Sequence, residues 1–320
     1  MRLRALLLFV ITGCSPAQSK LPTLAYQVVP DWPQLPAGWN FRETPGIAAD
    51  GREHVYVIHR GEHPIMEFDG EGRFIQSFGD GLFERPHAIR IDAEGNIWTV
   101  DDGSHVVLKM DRLGRIQMVL GRWRSSTASP PYTPGGAAPS SDLRGIRDDQ
   151  IVRFNRPTDV AWAANGDIYV SDGYGNSRVV KFSRDGQLLR IWGTKGTDPG
   201  QFNTPHSIAI DKQGRVYVAD RENYRIQIFD SDGTFLQQWS HVGAPWGLHI
   251  TPDQFLYMAD GYNNRILKLN LEGKVLGSFG SPGKLSGQFS YLHHLSVSPA
   301  GAIYTAEILN WRPQKFVPSP

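Results

Sequence analysis

A single cysteine, Cys14, stands in 320 residues, so no disulfide can form within the chain. Neither sign of charge dominates. The 33 Lys+Arg are balanced by 32 Asp+Glu, which removes the bulk attraction that a nucleic acid or an anionic membrane would need. After the first dozen residues, no apolar run approaches the ~20 residues that span a bilayer. The chain is rich instead in turn formers, with 34 Gly and 22 Pro. Its apolar stretches are short and favour Val, Ile, Tyr, Phe and Trp, the residues of strands. The length suits one large domain or two ordinary ones.

The N-terminus reads as a targeting segment. "MRLR" is basic, "ALLLFVIT" is a short apolar stretch, and "ITGC" follows. It resembles a bacterial lipoprotein signal, in which small residues precede a cysteine that is acylated. On that resemblance residues 1–13 are the signal, Cys14 carries lipid, and residues 14–23 are a tether. The expected location is the cell envelope, with membrane contact only through lipid on Cys14.

The rest of the chain repeats one unit. Six segments align: "TPGIAADGREHVYVIHR" from Thr44, "RPHAIRIDAEGNIWTVDD" from Arg85, "RPTDVAWAANGDIYVSDG" from Arg156, "TPHSIAIDKQGRVYVADR" from Thr204, "APWGLHITPDQFLYMADG" from Ala244 and "YLHHLSVSPAGAIYTAEI" from Tyr291. Each continues into a second apolar alternation, a Gly-bearing turn and a last apolar stretch. Successive prolines lie 41, 71, 48 and 40 residues apart, from Pro45 to Pro86, Pro157, Pro205 and Pro245. The long interval holds a Pro/Gly/Ser-rich insertion, residues 123–153, that reads as a surface loop. Four strands at a period of about 40 residues are the mark of a propeller blade. The prediction is an all-β, six-bladed β-propeller over residues 24–320, and the units resemble NHL repeats. The sixth copy is one strand short, and "LAYQVVPDW", residues 24–32, is expected to supply it and close the ring. The recurring Asn176/Arg178, Asn223/Arg225 and Asn263/Arg265, with Asp172, Asp220 and Asp260, read as blade-stabilising pairs and turn formers.

In a four-stranded blade, the turn entering the innermost strand and the turn between the second and third strands share one end. The residue after each aligned proline therefore sits near the axis at the channel mouth. In blade order it is Gly46, His87, Thr158, His206, Trp246 and His293. Histidine occupies alternate blades, so three imidazoles can converge on the axis. A tripod of neutral imidazoles with one open position is a catalytic zinc environment. The bland alternative is three channel histidines satisfied by hydrogen bonds. His294 adjoins His293, and the register favours His293 as the ligand. The turns at the same mouth contribute Arg60, Tyr174 and Arg221, with Tyr262 in the slot equivalent to Tyr174. Two guanidiniums beside a dication suit an anionic ligand, and positive charge would lower the tyrosine pKa. Taken singly, Arg60 could instead pair with Glu62 or Glu43, and Arg221 with Glu222.

The runs "IHRGE", "PHAIRID", "SDGYGNSRVVKFS", "GQFNTPHSIAI" and "ADRENYRIQ" resemble the peptidyl-α-hydroxyglycine α-amidating lyase family across about residues 40–310. The resemblance implies zinc on His87, His206 and His293, with Tyr174 as base and Arg60 and Arg221 on a substrate carboxylate. The implied reaction cleaves a carbinolamide to an amide and glyoxylate, on a small anionic or peptide substrate; the chain is expected to act as a monomer. The family also holds a structural calcium, whose carbonyl ligands here would be Ile47 and Ile89. Its carboxylate position is His294 in this chain, which counts against calcium. The family cysteine after the tyrosine is Gly175. The alternative function is a non-catalytic NHL propeller that binds a partner in the cell envelope.

Overall fold

The computed structural model describes residues 21–121 and 152–319. The signal at 1–13, Cys14 and most of the 123–153 insertion lie outside the described residues. Six four-stranded antiparallel sheets form the structure. Their innermost strands are Gly46–Ala49, Pro86–Ile91, Asp159–Trp162, Pro205–Ile210, Pro245–Ile250 and Leu292–Val297. Each packs beside the next, and the last packs beside the first, so the ring is closed. The architecture is the predicted six-bladed β-propeller.

Closure follows the expected route. Tyr26–Val28 pairs antiparallel with Arg312–Pro318, with Gln27 opposite Val317, and becomes the outermost strand of blade six. This gives the last blade its fourth strand and joins the two ends of the chain within one sheet.

The middle strands are largely buried because both of their faces are covered. Val55–Ile58, Val216–Asp220 and Arg225–Phe229 are buried throughout. Six apolar clusters fill the six blade–blade interfaces; one joins Ile226 and Ile228 of blade four to Leu256 and Met258 of blade five. Burying one such side chain contributes about 1.5–3 kcal/mol. The outermost strands face solvent and alternate, as in Phe235–Trp239.

The Asn and Arg residues of the repeat do what the pattern predicts. Asp220, fully buried, accepts from Asn223 Nδ2 at 2.8 Å, Arg225 Nε at 2.7 Å and the Asn203 amide at 2.7 Å. Asp172, Asp260 and Glu307 make the same latch with Asn176/Arg178, Asn263/Arg265 and Asn310/Arg312. Each latch ties the turn after the second strand to the segment entering the first. This holds the channel mouth in register.

Candidate metal centre

The innermost strands of blades two, four and six bring His87, His206 and His293 to the axis. Their ring centroids lie 4.8–4.9 Å apart, and all three side chains are buried. One ligand nitrogen from each lies within 4.8 Å of the others. The Nδ1 atoms point away from the axis. His87 Nδ1 lies 2.7 Å from the Thr158 carbonyl, His206 Nδ1 2.7 Å from that of Trp246, and His293 Nδ1 2.6 Å from that of Pro45. A carbonyl only accepts, so each Nδ1 carries the proton and each Nε2 presents its lone pair inward. Burial pushes all three imidazoles well below the usual range. Arg60 adds to this at His87 and Arg221 at His206. The result is three neutral nitrogen donors on one point, a set that fits a zinc-like ion.

Tyr174 closes the tripod from above. Its hydroxyl lies 3.0 Å from His87 Nε2 and 3.1 Å from His206 Nε2. The turn allows this because Gly173 has no side chain; a Cβ there would lie 1.9 Å from the Pro205 carbonyl oxygen. Next to it, Gly175 leaves room for the Asn155 side chain, 2.1 Å from where a Cβ would sit. The protein's own groups act on the phenol in opposite directions, apart from the lowering expected beside a bound dication. Burial is the largest influence and pushes the phenol up, while Arg221 only partly opposes it.

Both predicted arginines reach the mouth. Arg221 Nη1 lies 3.5 Å from the Tyr174 hydroxyl, and its guanidinium lies over the Trp246 ring at 4.5 Å. Its Nε also pairs with Glu222 at 2.7 Å, the alternative partner expected for it, while Nη1 is the nitrogen nearest Tyr174. Arg60 donates from Nε to the Pro86 carbonyl at 3.3 Å and has no carboxylate within ion-pair distance among the described residues. Tyr262 instead donates to Glu222, beside the site.

Three mouth residues were not assigned from the sequence. Asp102 occupies in blade two the slot that Arg60 and Arg221 occupy in blades one and four. Arg85 and Arg156, the residues before the aligned prolines, both pair with it. The signal was present in the aligned segments, which begin with these arginines. Exposed Tyr224, Tyr262, Tyr291 and Trp311 edge the mouth on blades four to six.

Deeper in the channel the donor set does not fit calcium. Arg90 reaches across from blade two and binds both oxygens of Asp159, through Nε at 3.0 Å and Nη2 at 2.5 Å. Nη2 also donates to the Leu248 carbonyl at 3.0 Å. His294 lies 3.8 Å from Asp159 Oδ2, and neither of its ring nitrogens has a hydrogen-bond partner. Calcium takes 6–8 oxygen ligands. Here a guanidinium already holds the carboxylate, and an imidazole stands at the position where the family has its aspartate.

A closed six-bladed propeller with an axial histidine tripod able to hold a metal ion defines the class. The chain belongs to the NHL-repeat family. The NHL repeat profile matches residues 154–182 and 202–229. The chain is 31% identical to human NHL repeat-containing protein 3, over 92% of this chain and 85% of that protein. It is 30% identical to peptidyl-alpha-hydroxyglycine alpha-amidating lyase 1 of Drosophila melanogaster over 84% of this chain, and spans about half (52%) of that relative. A streptogramin B lyase structure superposes with a TM-score of 0.61 at 15% identity, covering 92% of this chain and 98% of that one, which shows the fold alone.

Proposed function

We propose that the protein is a zinc-dependent lyase that cleaves α-hydroxyglycine-type carbinolamides to an amide and glyoxylate. One observation carries the reading: three Nε2 atoms, the Tyr174 hydroxyl and the Arg221 guanidinium converge at one point on the axis. The lyase name of the Drosophila relative supports it. A divalent ion on His87, His206 and His293 would supply Lewis-acid activation of the substrate hydroxyl and the positive charge that favours the Tyr174 phenolate. Arg60 and Arg221 bind the substrate carboxylate and fix its approach, so much of the gain is positioning. Tyr174 Oη accepts the hydroxyl proton. As that proton leaves, the C–O bond becomes a carbonyl and the C–N bond breaks. The electron pair goes to the nitrogen, which regains a proton and departs as the amide.

The direct test is glyoxylate release from a synthetic N-acyl-α-hydroxyglycine, with and without chelator. Release that chelation abolishes and zinc restores supports the reading; none from any carbinolamide overturns it. Purified protein is expected to carry about one zinc per chain, lost in His206→Ala. Metal-free protein with a normal fold would favour the second reading, a non-catalytic binding propeller; the human relative is named for its NHL repeats alone. Arg221→Ala is expected to weaken binding of a carboxylate-bearing substrate about tenfold or more, the worth of a charge-assisted hydrogen bond. A neutral analogue should lose far less, and equal losses would contradict the carboxylate role. We also infer an envelope location through acylated Cys14, supported by the sequence of residues 1–14.

A further inference from the structure

The mouth carries more positive charge than one substrate carboxylate requires. Arg60 and Arg221 stand on blades one and four, with Arg85 and Arg156 between them on blades two and three. Both of the latter reach the same oxygen of Asp102, Oδ2, from Arg85 Nη1 at 2.5 Å and Arg156 Nη2 at 3.0 Å. Asp102 is fully buried, and its Oδ1 has no hydrogen-bond partner. One carboxylate thus orients two guanidiniums and neutralises one of them. The two side chains are 42% and 43% exposed, so their remaining N–H groups face the open mouth. Arg156 also lies over the Tyr174 ring at 4.8 Å, which places the pair beside the reacting centre. Within ion-pair distance the four guanidiniums meet two carboxylates among the described residues, Asp102 and Glu222. Two positive charges therefore remain unmatched at that distance, with Glu62 and Glu84 lining the pocket beside Arg60 beyond it, and the carboxylate on the reacting carbon answers one.

We propose that Arg85 and Arg156, held by Asp102, are a second anion-recognition element, and that the substrate is a carbinolamide whose acyl group carries its own carboxylate. The proposal rests on the lyase reading for the reacting end of the substrate. Arg supplies a planar fork suited to a carboxylate, and its being fixed in advance by Asp102 reduces the entropy lost on binding.

Binding of two stable analogues that lack the reacting hydroxyl, N-acetylglycine and N-succinylglycine, separates the two ideas by calorimetry on the full chain. The dicarboxylate is expected to bind about five- to tenfold tighter at low salt, as for a partly exposed ion pair, with the advantage shrinking as salt rises. In Arg85→Gln the ratio of the two affinities should fall towards one, and Arg85→Lys should restore part of it. Arg156→Gln gives a second measurement. Equal affinities in the native protein, or a ratio unmoved in both Gln variants, overturn the proposal. A purely structural role for the pair would lower the melting temperature and leave the ratio alone. A preference for the dicarboxylate without glyoxylate release from either matching carbinolamide would retire the lyase reading and keep this element.

Discussion

Tyr174→Phe is expected to keep its metal and to lose turnover by roughly 100- to 10,000-fold, the range for removing a positioned acid–base group. The three Nε2 donors do not depend on the phenol; their orientation comes from the carbonyls of Thr158, Trp246 and Pro45. The ring should also stay in place, since it packs edge-on to His87 at 5.2 Å and His206 at 5.7 Å. What goes is one oxygen, 3.0 Å and 3.1 Å from two ligand nitrogens and 3.5 Å from Arg221. The stability cost should be about 0.5–1.5 kcal/mol, that of an ordinary hydrogen bond. Metal analysis, thermal melting and glyoxylate release on one preparation separate these effects. Near-native release by the variant would remove Tyr174 from the role of proton acceptor.

Arg90→Ala is expected to cost about 3–5 kcal/mol of stability, because it strands a buried charge. Asp159 is 1% exposed and takes both guanidinium hydrogen bonds. Arg90 holds Asp159 well below the usual carboxylate range against the opposing effect of burial, so the carboxylate remains ionised within the protein. For a domain of this size the melting temperature should fall on the order of 5–10 °C. Asp159→Asn in the same background should recover part of the loss by removing the stranded charge while leaving an acceptor for Ser207, which donates to Asp159 at 2.6 Å. The calcium misfit carries its own expectation: millimolar calcium should leave the melting temperature of the native protein unchanged, since a ligand that does not bind the folded state cannot stabilise it. A calcium-dependent rise, or a neutral Arg90→Ala, would show that the channel is held by something other than this ion pair.

The repeat and its register were legible in the chain because each blade buries its middle strands on both faces and needs the same turns. The slot after the aligned proline could therefore be followed from Gly46 to His293, and the three histidines in it do converge. The chemistry of neighbours from different blades was harder to read. Arg85, Arg156 and Asp102 opened or closed quoted segments, yet nothing along the chain said that two arginines 71 residues apart share one carboxylate oxygen. The sequence showed the charges near Tyr174 but not its burial, which pushes the phenol up while Arg221 pulls it down. Arg90 carried no signal along the chain, because its partners are on blades three, four and five.

From the sequence alone, the number of blades, the strand that completes the last one, and the places of the three histidines, Arg60, Tyr174 and Arg221 at the mouth were determined. All of these follow from local periodicity and turn chemistry, which repeat along the chain. Only the tertiary structure decided which nitrogen of each imidazole faces the axis, that the tyrosine hydroxyl reaches two of them, and that a guanidinium holds the deeper channel. These depend on contacts between neighbouring blades, where burial and Coulomb interactions act through space between residues far apart in the chain.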